Sequence, residues 1–322
     1  MSGTLDATTL AQAHQLVTKT QQEITQVVLG QDAVVQQVLV ALLARGHVLL
    51  EGVPGLGKTL LVRALAKCFG GEFRRIQFTP DLMPSDVTGH ALFNMQSQAF
   101  EIRKGPVFTH LLLADEINRA PAKTQAALLE VMEEQQVSIE GESLPVPAPF
   151  MVLATQNPVE QEGTYPLPEA QLDRFLLKVL IDYPSQEHEE LLVKTMGKTR
   201  NPLDAIRTFL TPGHISSLQK ICGQITLDDA VLGYIVQLVR ATRQWPGLAR
   251  GAGPRAGLGI AAAARAFALI NQRSYVTPMD VKTLAPAVLR HRISLTADAE
   301  IEGLSSEVII SDIIQQTAAP RQ

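Results

Sequence analysis

Apolar residues recur along this chain with two different periods. Residues 10–28 and 31–44 carry them at helical spacing and read as two amphipathic helices. A short apolar run at 47–51 follows, then a glycine-rich turn and a helical pattern over 58–69. Further strand-length apolar runs occupy 110–114, 150–155 and 175–181. Short apolar strands alternating with helices predict a parallel sheet covered on both faces. In such sheets a ligand site lies at the carboxyl ends of the strands. The first three runs each end in polar residues suited to one. Two other stretches, 91–102 around a polar tip and 137–144 around Gly141, read as β-hairpins.

After Tyr183-Pro184 the pattern changes. Segments 186–196, 212–222, 228–242, 254–271 and 277–292 all carry helical periodicity, and Thr277-Pro278 ahead of Asp280 is a helix-start signal. The expected fold is therefore α/β over residues 1–183, with an all-helical domain over 184–322.

Composition narrows the function. A chain of 322 residues is long enough for two packed domains. Lys and Arg total 28 against 32 Asp and Glu, a net charge of -4, which argues against a general nucleic-acid binder. Cys68 and Cys222 are too few and too far apart for a disulfide framework or zinc site, and read as buried reduced thiols. Residues 1–20 lack the apolar core of a secretory signal, and the apolar run at 38–44 stops at Arg45, short of a membrane span. A cytoplasmic location without a membrane span is the expectation.

The strongest chemical signal is Gly52-Val53-Pro54-Gly55-Leu56-Gly57-Lys58-Thr59, a full phosphate-loop pattern placed after a strand and before a helix. Glycines let backbone N–H groups wrap the phosphates, and the helix that starts at Lys58 aims its positive dipole end at them. Lys58 adds a mobile charge, and the Thr59 hydroxyl is a hard oxygen ligand for Mg²⁺. A turn that only joined strand to helix would not need the Lys-Thr pair. Asp115 and Glu116, delivered together by the run at 110–114, are the second signal. Asp115 suits Mg²⁺ and Glu116 suits polarisation of the water that attacks the γ-phosphate. Alone, such a pair is often a solvated turn; with a phosphate loop upstream it points to ATP hydrolysis. Asn157-Pro158 ends a third strand, and read from its residues alone it is an ordinary turn.

Taken together, Gly52 to Thr59, the run ending at Glu116, Asn157, and Glu169-Ala-Gln-Leu-Asp-Arg-Phe175 resemble the AAA+ ATPases, an αβα P-loop sandwich followed by a helical lid. The wording of Glu51 to Thr59, of Ala154-Thr-Gln-Asn-Pro158 and of Gly163-Thr-Tyr-Pro-Leu-Pro-Glu-Ala-Gln-Leu-Asp-Arg-Phe175 is similar to the MoxR family. The likeness extends from about residue 28 to about residue 295 and takes in Tyr275-Val-Thr-Pro278 and Leu289-Arg-His-Arg-Ile293. It implies that Asn157 is a sensor of the γ-phosphate, against the plainer reading above. It implies that Arg174 is an arginine finger reaching a neighbour's nucleotide, where the plain reading is a salt bridge to Asp173 or Glu169. Arg255, in Gly251-Ala-Gly-Pro-Arg255, matches a second sensor that contacts the γ-phosphate within its own chain, although Gly253 stands where the family commonly has Ser. Arg290, His291 and Arg292 are expected on a solvated or subunit-facing surface. The resemblance assigns the two hairpins, through residues 94–98 and 141–143, to a ring's pore or client face.

The resemblance further implies Mg²⁺-dependent ATP hydrolysis in a homo-oligomer, a hexameric ring, acting as a chaperone that matures protein clients or inserts metal cofactors. It implies a partner with a von Willebrand factor A domain. A nucleic-acid motor is the first rival, disfavoured by the acidic balance and the lack of a basic, aromatic-studded tract. A non-hydrolysing switch is opposed by intact Lys58, Asp115, Glu116 and Asn157; a metal-chelatase motor would differ only in its client.

Overall fold

The computed structural model describes residues 6–53, 55–156, 164–196 and 201–320. Helices α1 (Ala7–Thr25) and α2 (Asp32–Leu43) lead into strand β1 (Val48–Glu51), the phosphate loop, and α3 (Lys58–Cys68). Strand β2 (Phe73–Gln77) and the short α4 (Pro84–Thr88) precede a hairpin of β3 (Gly89–Asn94) and β4 (Ala99–Lys104). Strand β5 (Leu111–Asp115) and helix α5 (Ala122–Glu134) are followed by a second hairpin, β6 (Gln136–Ile139) with β7 (Glu142–Pro145). Strand β8 (Met151–Gln156), the single turn α6 (Glu169–Leu172) and β9 (Leu177–Leu180) complete this part.

The main sheet has the order β2-β5-β8-β1-β9, and all its pairs are parallel. Its interior strands are covered on both faces, so they read as unbroken apolar runs. Leu111, Leu112 and Leu113 are all fully buried, and each contributes about 1.5–3 kcal/mol of hydrophobic burial. The edge strand β2 differs. Only Ile76 of its five residues is buried, and its Arg and Gln side chains face solvent or the site.

The remainder holds α7 (Gln186–Met196), α8 (Pro212–Gln224), α9 (Asp229–Ala241), strand β10 (Leu248–Arg250), α10 (Pro254–Ile270), α11 (Pro278–Leu289), strand β11 (Ser294–Leu295), α12 (Ala297–Ile301) and α13 (Ser306–Gln316). It is helical apart from the ribbon in which β10 and β11 pair antiparallel. Local chemistry fixes the helix starts. Thr211 and Thr277 cap α8 and α11, each accepting from the N–H three residues on, with Pro at the first helical position. The buried Asp280 returns the cap of α11 and also pairs with Arg273 at 2.5 Å. Alanines on one face of α10 pack against α11, and Gly259 fits between Leu176 and Val288. Cys68 and Cys222 are buried and unpaired, and burial pushes both thiols up to about 12, which leaves them unreactive at neutral pH.

Candidate active site

The phosphate loop leaves β1 where the strand order reverses, between β8 and β9, the position at which parallel sheets open a crevice. Gly52 is forced by packing: a Cβ there would sit 2.5 Å from the Ile181 carbonyl oxygen. Gly57 caps α3 with φ of 79°, a left-handed conformation that side chains resist. Lys58 donates to the Gly52 carbonyl. Burial lowers its pKa, opposed by the charges of Asp115, Glu116 and Glu51. A cavity of about 430 Å³ is lined by Gly52, Gly55, Gly57, Lys58, Thr59, Asp115, Glu116 and Thr155. Gly55, Gly57 and Leu60 also border a second cavity of about 470 Å³, walled by Val27, Val28, Leu56, Tyr183 and Pro184. The first cavity is charged and suits phosphates; the second is apolar and suits a flat base. Val53 is half-buried in the loop, while Pro54 and Asn157 lie outside the described residues.

Strand β5 presents its two carboxylates differently. Asp115 accepts from the Thr155 hydroxyl at 2.6 Å on one oxygen, and from Arg75 at 2.5 and 3.0 Å on the other. Glu116 turns sharply out of the strand with φ of 55°, a strained conformation for a residue with a side chain. Its N–H is held by Thr155 at 2.8 Å, so one buried hydroxyl orients both acids. The Glu116 carboxylate accepts from Gln77 at 2.7 Å and pairs with Arg119 at 3.1 Å. Thr155, Arg75, Gln77 and Arg119 were not foreseen from sequence. Thr155 lies inside the Ala154-to-Pro158 wording, but β2 has no apolar run to mark it as a strand.

Among the described residues no cluster of three His, Cys, Asp or Glu side chains is placed to hold a metal ion. Mg²⁺ does not need one, since it keeps several waters and takes one or two protein oxygens with substrate phosphates. The Thr59 hydroxyl and Asp115 carboxylate line one cavity and are hard oxygen donors, so they fit this ion.

The arginines lie elsewhere. Arg174 and His47 precede β9 and β1, so they sit at the amino-terminal edge of the sheet, opposite the phosphate loop. Arg174 donates to the Leu129 carbonyl at 2.6 Å and pairs with Glu133 at 2.8 Å. Arg255, at the first turn of α10, takes the other Glu133 oxygen at 2.9 Å. Both line a cavity of about 360 Å³ with Glu133, Asp173, Leu258 and Arg292. The pairing of Arg174 is thus with Glu133, not with Asp173 or Glu169; those carboxylates pair with Arg292 and Arg250. The resemblance implies that Arg255 meets phosphate within its own chain; in this structure it stands beside Arg174, on Glu133 and facing Asp173, outside the cavity of the phosphate loop. The expected solvated cluster is corrected. His291 and Arg292 are buried, and Arg292 spends its donors on the chain around Arg174.

His47 is buried with both ring nitrogens engaged, Nε2 toward the Met132 carbonyl at 3.1 Å and Nδ1 toward the Val152 N–H at 3.0 Å. Those partners suit the neutral ring, and burial lowers its pKa to about 4 despite the Met132 bond. No helix among the described residues is long and apolar enough to cross a membrane.

A phosphate loop at the switch point of a five-stranded parallel sheet, with an acid pair at the end of β5 two strands away and a helical lid, defines a P-loop ATPase of the AAA class. A family model described as "ATPase family associated with various cellular activities (AAA)" matches residues 47–177, and one described as an AAA lid domain matches residues 240–313. The chain is 49% identical over 310 residues to chaperone MoxR1 of Mycobacterium tuberculosis, covering 93% of this chain and 81% of that protein. It is 47% identical to the protein YeaC of Bacillus subtilis, with 96% of each chain covered. It is 32% identical to the protein MoxR of Methylorubrum extorquens, covering 92% of this chain and 91% of that one. The crystal structure of a putative ATPase from Cytophaga hutchinsonii superposes with a TM-score of 0.90 at 40% identity, over 97% of both chains. The chain belongs to the MoxR family of AAA ATPases.

Proposed function

We propose that this ATPase hydrolyses ATP with Mg²⁺ at a site shared between neighbouring subunits of a ring. The observation that carries this reading is the separation of Arg174 and Arg255 from the phosphate loop of their own chain. Lys58 and the loop N–H groups hold the phosphates, and Thr59 and Asp115 hold the ion. Mg²⁺ held there would supply positive charge to offset the negative charge that develops on the phosphates. Glu116 orients the attacking water once Gln77 and Arg119 release it. Asn157, on the sequence resemblance, meets the γ-phosphate. Arg174, with Arg255 beside it, reaches the γ-phosphate held by the next subunit, where a guanidinium stabilises transition-state charge. Head-to-tail contact of this kind closes into a ring, and a hexamer is the expected size.

The work of the ring is chaperone-like remodelling of protein clients, in line with the name of the Mycobacterium tuberculosis relative. Maturation or metal-cofactor insertion, aided by a partner with a von Willebrand factor A domain, is the finer form of this reading, in the cytoplasm. The β3–β4 hairpin supports it, because Phe93, Met95 and Phe100 are 51%, 85% and 70% exposed on one small ribbon. Exposed apolar side chains in one patch mark a surface for protein contact. Asn94 orders the tip by accepting from the N–H of Gln96 at 2.8 Å.

ATP turnover measured against protein concentration, for wild type, Glu116→Gln and Arg174→Ala, tests the reading. Specific activity is expected to rise with concentration and to be lost in both variants while both still bind ATP. A rate independent of concentration and unchanged by Arg174→Ala would overturn the shared site. Strong stimulation by DNA or RNA would favour a nucleic-acid motor instead.

A further inference from the structure

The short segment that carries Arg174 is held by the lid. Arg292 lies just beyond α11, with its side chain 3% exposed. Its Nε donates to the Asp173 carboxylate at 2.7 Å. One terminal nitrogen donates to the Leu176 carbonyl at 3.1 Å and to the Val288 carbonyl at the end of α11. The other donates to the carbonyls of Phe175 at 2.6 Å and Asp173 at 3.2 Å. All five N–H groups of the guanidinium are therefore used, and four of the five bonds fall on residues 173, 175 and 176. These residues flank Arg174 on both sides. The remaining Asp173 oxygen faces Arg255 at 3.8 Å. Phe175 is fully buried beneath them. The neighbouring His291 adds a second bond to the Phe175 carbonyl at 3.0 Å.

A fork this size inside a protein costs several kcal/mol to desolvate, and burial lowers the Arg292 pKa accordingly. A hydrophobic residue would fasten α11 to β9 without that cost. What it would not do is fix four acceptors around one particular residue.

We propose that Arg292 is a positioning residue that sets Arg174, and through Asp173 also Arg255, at the angle needed to meet the neighbouring subunit's γ-phosphate. The proposal rests on the finger role of Arg174 given above. It makes the lid part of the finger: because Arg292 leaves α11 directly, a shift of α11 against the sheet moves the backbone on both sides of Arg174. The nucleotide state that moves a subunit's lid is thereby passed to the site of the next subunit.

The test is complementation between subunits in full-length rings. Arg292→Lys keeps the charge but offers a point donor in place of a planar fork. Asp173→Asn keeps the volume and removes the charge that both arginines share. Each is expected to lower turnover on the order of 10²-fold, the scale of a displaced catalytic group, with ATP binding unchanged. Each is then mixed with Glu116→Gln subunits, which lack water activation but carry an intact finger. Activity is expected to return, because the damaged function is one that a neighbour supplies. Arg174→Ala mixed with Glu116→Gln is the reference. If the reference recovers and the Arg292 and Asp173 variants do not, Arg292 serves only its own chain and the proposal fails. If the reference itself does not recover, the finger reading fails instead. Should Arg292→Lys not fold, Asp173→Asn alone decides, since that side chain is partly exposed; wild-type turnover in it would overturn the proposal.

Discussion

The two edges of the parallel sheet are built on opposite principles. At the carboxyl edge the chain gathers a phosphate loop, two acids and the hydroxyl of Thr155 around one charged cavity. Everything there needed to hold a triphosphate comes from one subunit. At the amino-terminal edge Arg174 and Arg255 converge on Glu133, in a cavity separate from the one the phosphate loop lines. On the proposed shared site, the difference means that one half is finished within a chain while the other is stored, paired with a carboxylate, for a neighbour.

The sharpest way to break this comparison is to damage each edge separately. Glu116→Gln removes the carboxylate proposed to activate water and should lower turnover roughly 10²–10⁴-fold. Arg174→Ala should lose on the order of 10³-fold. The losses should differ in kind: the first variant poisons its own site, the second its neighbour's. Single-turnover kinetics in dilute and concentrated protein separate them, since a dilute subunit has no finger to lose.

The amino-terminal edge should also be preformed in a free subunit, and pH tests that. The pKa of His47 is about 4 when folded against 6.5 ordinarily, so between these values the unfolded chain binds the extra proton. The contribution is complete above pH 6.5 and is lost as pH falls through 6.5 toward 4. It amounts to about 3 kcal/mol at full extent. His291, whose pKa burial also lowers, acts in the same direction. Denaturant titrations of wild type and His47→Gln across this range should show a shallower slope in the variant.

Thr155→Val tests the opposite edge. It keeps the shape and removes the hydroxyl shared by Asp115 and the Glu116 N–H. A loss of about 1–3 kcal/mol in stability is expected from the unpaired groups. Weakened Mg²⁺-dependent nucleotide binding should accompany it, measured with a fluorescent ATP analogue. The smallest effect is that of Glu133→Gln. Its pairs are partly exposed, so stability should change by less than about 1 kcal/mol in thermal melts, while turnover is retained because the arginines it stores are intact.

Legibility in the sequence followed burial. Strands β1, β5 and β8 are buried on both faces, and the edge strand β9 keeps one buried face, so apolar runs mark all four. Strand β2 is an edge with a single buried residue, so no apolar run marks it, nor Arg75 and Gln77 on it. Gly52 to Thr59 were legible because phosphate binding demands particular residues at fixed spacing. The partners of the arginines were not legible. Glu133 is one acid among several on α5, and only the packing of α10 over the sheet edge brings it between Arg174 and Arg255. Arg292 misled for a similar reason: three basic residues in a row suggest a wet surface, and nothing local reveals four waiting carbonyl groups.

The most direct measurement is the ATP turnover of rings assembled from equal amounts of Arg174→Ala and Glu116→Gln subunits. Each variant alone should be nearly inactive. In randomly mixed rings about a quarter of the interfaces join an intact water-activating site to an intact finger, so turnover should rise toward that fraction of wild type. A mixture no more active than its components would contradict the account, because it would mean that Arg174 serves only the chain that carries it.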